Sequence, residues 1–147
     1  MQFYTLNQII NNLTTICNSH AMVKQFEFGE QYDISASSQQ KYPLVWANVT
    51  NSNISDNILN LNMQILIMDI QKADSLNEKD TLSDCLSIAR DIYAALNNPI
   101  YGDYYLISQS PSLIPIREAF PDLVNGWQMD ITFQLPELKN RCQIPIN

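Results

Sequence analysis

Ile58-Leu-Asn-Leu-Asn-Met-Gln-Ile-Leu-Ile-Met-Asp-Ile70 is the longest strand-like run in the chain. Leu59, Leu61, Met63, Ile65 and Ile67 recur at every second position, so an extended backbone sends them all to one face. The other face begins polar, at Asn60, Asn62 and Gln64, and turns apolar at Leu66, Met68 and Ile70. The pattern predicts a strand that is wet on one side in its first half and covered on both sides in its second. Its best match is Trp127–Leu135, where Trp127, Met129, Ile131, Phe133 and Leu135 alternate with Gln128, Asp130, Thr132 and Gln134. The two read as neighbours in one mixed or antiparallel sheet.

Outward from these strands, residues 5–19 carry a helical period. Leu6, Ile9, Ile10, Leu13, Ile16 and Cys17 form one apolar stripe, with Thr5 as N-cap. The opposite face, Asn7, Gln8, Asn11, Asn12 and Thr15, is polar without charge and reads as solvated. Phe26 and Phe28, with Tyr32 and Ile34 beyond them, mark a short strand around Gly29. Residues 35–41 read as a polar loop, and Tyr42–Thr50 as a strand that tolerates Pro43 at its start. Asn51–Asn57 reads as a turn-rich connection, which makes 43–50 and 58–70 a hairpin with a long tip. Ser75 and Glu78 have the spacing of a capping box, opening a second helix that runs to about Leu96 and stops at Asn97-Asn98-Pro99. Leu82, Cys85, Leu86, Ile88, Ala89, Ile92, Ala95 and Leu96 give it a broad apolar face. Tyr104–Ser108 and Leu113–Glu118 read as short strands, and Ala119–Gly126 as a turn before the closing strand. The expected order is α-β-β-β-α-β-β-β: an α+β fold with a mostly antiparallel β-sheet and two helices packed on one face. Residues 1–137 make a single domain, and 138–147 an extended C-terminal tail with no helix or strand period.

With 147 residues, 46% of them apolar, the chain can bury one core. Its formal charge of −7 argues against a general nucleic-acid binder, which needs clustered Lys and Arg. An acidic surface permits another use, lining a passage that DNA crosses without sticking. No apolar run is long enough to span a bilayer, and no secretory signal opens the chain. Cys17, Cys85 and Cys142 lie far apart, and Cys17 and Cys85 fall on the apolar helix stripes, so reduced buried thiols are expected. No CxxC pair or His/Cys cluster supports a metal site, and no glycine-rich loop cradles a phosphate or cofactor.

Few residues are candidates for chemistry. His20 is the only histidine, and its place at the end of the first helix fits an imidazole favoured by the helix dipole better than a catalytic one. Asp69 and Asp130 both sit in Met-Asp-Ile triplets on expected strands, and if those strands pair the two could be close. Solvated carboxylates, or partners for Lys72 or Arg117, are the commoner outcome. An enzyme therefore has no positive support. Two features are odd for a self-contained monomer: the Asn51–Asn57 tip beside the 35–41 loop, and the apolar, Pro-containing tail at 138–147. The tail either folds back on its own domain or lies on a neighbour.

Several segments come in a familiar order: Leu6-Asn-Gln-Ile-Ile with Ile-Cys-Asn-Ser-His20, Phe28-Gly-Glu30, Tyr42-Pro-Leu-Val-Trp46 and Gln64-Ile-Leu-Ile-Met-Asp69. The Leu82-Ser-Asp helix, Trp127-Gln-Met-Asp-Ile-Thr-Phe133 and Arg141-Cys-Gln-Ile-Pro-Ile146 follow. The chain resembles small virion proteins of tailed bacteriophages of Bacteroidota hosts, including crAss-like phages. Its element order is similar to that of tail terminator and head–tail completion proteins. The resemblance implies a homo-oligomeric ring in the head–tail connector or tail, joining portal and tail and lining the channel used in DNA ejection. Implied partners are other copies of itself, the portal or adjacent connector and tail ring proteins, and DNA passing without specific binding. The implied place is the virion, assembled in the bacterial host cytoplasm, with no membrane and no cofactor. Accessibility and composition pick out Ser35, Gln39, Lys41, Asn51, Asn53, Asp56, Leu138, Arg141, Ile144 and Ile146 as interaction residues. The competing expectation is a non-enzymatic cytoplasmic adaptor or ligand-binding α+β module.

Overall fold

A computed structural model of the chain describes residues 5–30, 40–70, 78–98, 106–107, 110–119 and 124–136. The elements, in chain order, are α1 (Leu6–Ser19), β1 (Gln25–Phe28), β2 (Leu44–Ser55), β3 (Ile58–Ile70), α2 (Glu78–Leu96), β4 (Leu106–Ile107), β5 (Ser112–Ala119) and β6 (Val124–Pro136). This is the expected α+β order. The strands form one six-stranded sheet in the order β1-β2-β3-β6-β4, with β5 also pairing β6. All pairings are antiparallel except β1 with β2.

The decisive strand has the bounds its pattern predicts, and it pairs along its whole length with β6, from Ile58 opposite Pro136 to Ile70 opposite Val124. Its odd-numbered side chains join those of β6 and Val45 and Ala47 of β2 in the main core. Both helices pack on that face. Ile9, Leu13, Ile16 and Cys17 of α1, and Cys85, Ile88, Ala89, Ile92 and Leu96 of α2, are buried there. Thr5 caps α1 as expected: its hydroxyl accepts from the Gln8 N–H at 3.3 Å, and the Gln8 side chain accepts from the Thr5 N–H at 2.7 Å. The serine of the expected α2 capping box, Ser75, lies outside the described residues, as do Tyr32, Ile34 and the tail. The indole N–H of Trp127 donates to the Leu82 carbonyl at 2.8 Å, tying β6 to α2.

On the helix-free face the sheet divides in two. Leu44, Trp46, Leu66, Met68 and Val124 are buried together, with Tyr42 and Ile116 against them. Ile70, expected to share that cover, is exposed instead, at the last position of β3 opposite Val124. The other half carries the polar alternation of β3 and β6. Gly126 marks the tightest packing in the sheet: a Cβ there would stand 1.8 Å from the Ile67 carbonyl oxygen, a distance only glycine avoids.

Two boundary expectations need correction. Asn51–Ser55 is not a loop: β2 continues through it, in register with Asn62 to Ile58, after an irregularity between Val49 and Asn51. The hairpin closes in only two residues, Asp56 and Asn57, whose φ values of 50° and 64° are those of a type I′ turn. Polar residues survive in this strand because both of its faces are exposed there. Likewise β6 begins at Val124, inside the expected 119–126 turn, because Val124 and Gly126 are built into the sheet opposite Ile70 and Met68.

Candidate interaction surface

The open half of the helix-free face is a ladder of amides. Across it, Asn48 stands opposite Gln64, which stands opposite Asp130, which stands opposite Ser112. The next rung is Asn51, Asn62 and Thr132, and the one beyond is Asn53, Asn60 and Gln134. Asn62 is the hub: its side-chain N–H donates to the Asn51 side-chain oxygen, and its own side-chain oxygen accepts from the Thr132 hydroxyl at 2.6 Å. The Thr50 hydroxyl donates to the Asn62 carbonyl at 3.1 Å. At the third rung from the turn, the Gln128 side chain reaches Asp130 at 3.2 Å. The bonds from Asn62 tie β2, β3 and β6 together and orient the Asn51, Asn62 and Thr132 side chains. Such a surface both donates and accepts, so it suits docking by hydrogen bonds.

The residues expected to make contacts fall in different places. Asn51 and Asn53 are exposed on β2, on the helix-free face, and Asp56 is exposed in the turn that ends it. These three form one surface. Lys41 is exposed too, with its N–H donating to the Gln25 side-chain oxygen at 2.8 Å, but it precedes β2 at the opposite end of the sheet. The length of β2 separates it from Asp56 by roughly 35 Å. Ser35, Gln39, Leu138, Arg141, Ile144 and Ile146 lie outside the described residues. The ladder residues Asn48, Asn60, Asn62, Gln64 and Thr132 were absent from the expected set. Their signal was present as the polar alternation of two strands, but only the register shows that the alternations coincide.

The candidates for chemistry are drawn apart. Asp130 pairs with Gln64, and Asp69 with Asn125, five positions along the same two strands. Asp130 lies on the amide face, whereas Asp69 has the parity of the helix-covered face, so pairing of the strands does not bring the two carboxylates together. Arg117 pairs instead with Glu78 at 2.8 Å, joining β5 to the first turn of α2. Burial raises the Asp69 carboxyl above its ordinary value; the Ile70 N–H at 2.8 Å opposes this, and the Asp84 charge adds to it. His20 caps α1, its N–H donating to the Cys17 carbonyl, and its ring bridges two elements. Nδ1 accepts from the Met22 N–H at 3.1 Å, so in the neutral ring the proton sits on Nε2, 2.8 Å from the Asp91 carboxylate. Nε2 joins α1 to α2, Nδ1 holds the backbone just beyond α1, and the ring stands at the C-terminal end of the helix, where it was expected.

Cys17 and Cys85 are free thiols, buried as expected, and burial pushes each up to about 12. Among the described residues, no group of three or more His, Cys, Asp or Glu side chains is placed to hold a metal ion. Among the same residues, no helix is long and apolar enough to cross a membrane. The sequence matches no family model and no curated protein.

Proposed function

We propose that the protein is a structural assembly subunit, one copy of a homo-oligomeric ring in the connector or tail of a tailed bacteriophage. The observation that carries the assembly part is the one-sided sheet. Two helices cover one face, while Asn51, Asn53, Asn60, Asn62 and Thr132 make the open half of the other a hydrogen-bonding surface. The residues with chemical potential are engaged elsewhere: His20 between Met22 and Asp91, and the Cys17 and Cys85 thiols in the core. The phage part rests on the resemblance of the chain's segments and element order to virion ring proteins. In this reading the subunits meet head to tail, the angle between them closes the ring, and the ring sits between portal and tail. The charge of −7 per subunit keeps the wall of the channel repulsive to DNA phosphates. Assembly takes place in the host cytoplasm and the product resides in the virion.

The test is the mass of the purified protein by light scattering and native mass spectrometry, with negative-stain images of any large species. Closed rings with a central hole are expected. A protein that stays monomeric up to millimolar concentration, alone and mixed with portal preparations, overturns the ring and favours the adaptor.

A further inference from the structure

The connection from α1 to β1 is held by one imidazole. The His20 N–H closes α1 by donating to the Cys17 carbonyl at 3.2 Å, and further on the Lys24 N–H donates to the Pro43 carbonyl at 2.9 Å. Between these two fixed points the Met22 N–H donates to His20 Nδ1 at 3.1 Å, while Nε2 stands 2.8 Å from a carboxylate oxygen of Asp91 on α2. Turning the ring over would put carbon at both places, so the two contacts together fix its orientation.

The two nitrogens answer a proton in opposite ways. A neutral imidazole offers one N–H and one acceptor, whereas the imidazolium offers two donors and no acceptor. Protonation therefore keeps the Nε2 contact and makes it charge-assisted, but at Nδ1 it sets one N–H against another. The surroundings decide which contact gives way. α1 carries no charged side chain, and its Cys17 thiol is held protonated by burial. α2 presents the Asp91 carboxylate, with Arg90 next to it in the chain and Asp84 two turns earlier. Lys24 follows on the connection and Glu27 on β1. Among the described residues only Asp91 supplies the ring with a charged partner. That bond strengthens, and the Met22 N–H, on an exposed residue, passes to water. We propose that His20 is a proton-operated latch: neutral, it holds the Met22 backbone against the end of α1, and protonated, it releases Met22 while gripping Asp91 more firmly. Acid thus loosens the link from α1 to β1 and tightens α1 on α2. The movement is confined to Ala21–Val23, between the bonds of the His20 and Lys24 amides.

The experiment follows the full, ¹⁵N-labelled chain by NMR from about pH 8 to about pH 5, the range in which histidine side chains ordinarily change charge. At the upper end the ring nitrogen shifts are expected to show the proton on Nε2. As the ring titrates, the Met22 amide resonance is expected to move with the same midpoint, while that of Lys24 stays in place. Protection of the Met22 amide from hydrogen exchange, corrected for the intrinsic effect of pH, is expected to fall about tenfold, the loss of one hydrogen bond. In His20→Gln, which cannot titrate, the Met22 amide is expected to hold one position throughout. A Met22 amide that stays in place while the ring titrates overturns the proposal. So does a neutral ring protonated on Nδ1, a ring that takes up no proton in this range, or a Met22 shift that persists in His20→Gln.

Discussion

Gly126 leaves no room for a side chain. An added methyl would overlap the Ile67 carbonyl, which belongs to the central strand and cannot withdraw without breaking a ladder bond. Gly126→Ala is therefore expected to lower the free energy of unfolding by roughly 3 kcal/mol or more, read from urea denaturation. Asp69 tests the opposite effect. Burial lifts its carboxyl above the ordinary value, so folding disfavours the charged form. The resulting stability is fully present below the unfolded value and is lost as pH rises through the folded one. Asp69→Asn retains an acceptor for the Ile70 N–H and removes that loss. The variant is expected to show a higher urea midpoint than the parent at about pH 7, with the gain vanishing near pH 3. The core thiols give a third readout. Cys17 and Cys85, held protonated by burial, are expected to resist iodoacetamide at about pH 8 in the folded protein and to react once it is unfolded, as mapped by peptide mass.

At the scale of elements, the β2–β3 hairpin shows how a strand forms without an apolar pattern. Asp56 and Asn57 supply the two positive φ angles of a type I′ turn, and that turn propagates the register into polar residues that no core demands. Asn57→Gly relieves the left-handed strain at the second turn position and is expected to raise stability by about 0.5 kcal/mol. Asn57→Val, β-branched at φ 64°, is expected to lower it by about 1–3 kcal/mol in the same urea titration. The same hairpin marks the limit of what the sequence conveys. β3, β6, both helices and the element order were legible, because each buries one face and burial writes a period of two or 3.6 into the chain. Asn51–Ser55 buries neither face, so its Asn and Ser residues read as a loop, and the length of the strand stayed hidden. The Met-Asp-Ile triplets could not decide whether their carboxylates meet, for a related reason. Similar local sequence says nothing about register, and a five-position offset with opposite parity parts Asp69 from Asp130. Asn51, Asn53 and Asp56 were legible as accessible residues, whereas the ladder that unites two of them with Asn62 and Thr132 needed the pairing of three strands.

At the scale of the whole molecule, charge and hydrogen bonding point to the same surfaces. The chain carries 15 acidic and 8 basic residues, so two copies repel at long range whichever way they turn. Contacts between them must rely on short-range hydrogen bonds and apolar burial at uncharged places. The amide rungs nearer the turn, at Asn51, Asn53, Asn60 and Asn62, are such places, and the exposed Ile54 and Ile58 lie beside them at the hairpin end. This has a consequence that separates association through these surfaces from association through ion pairs. Raising salt shortens the screening length from about 30 Å at 0.01 M to about 3 Å at 1 M. Ion-paired contacts weaken under that change, because salt screens the attraction that makes them. Contacts between uncharged surfaces on like-charged bodies strengthen, because salt screens only the repulsion. Sedimentation velocity across that salt range is expected to show self-association tightening as salt rises. Association that instead weakens with salt would place the contact on charged residues and remove these amide rungs as the surface where copies meet.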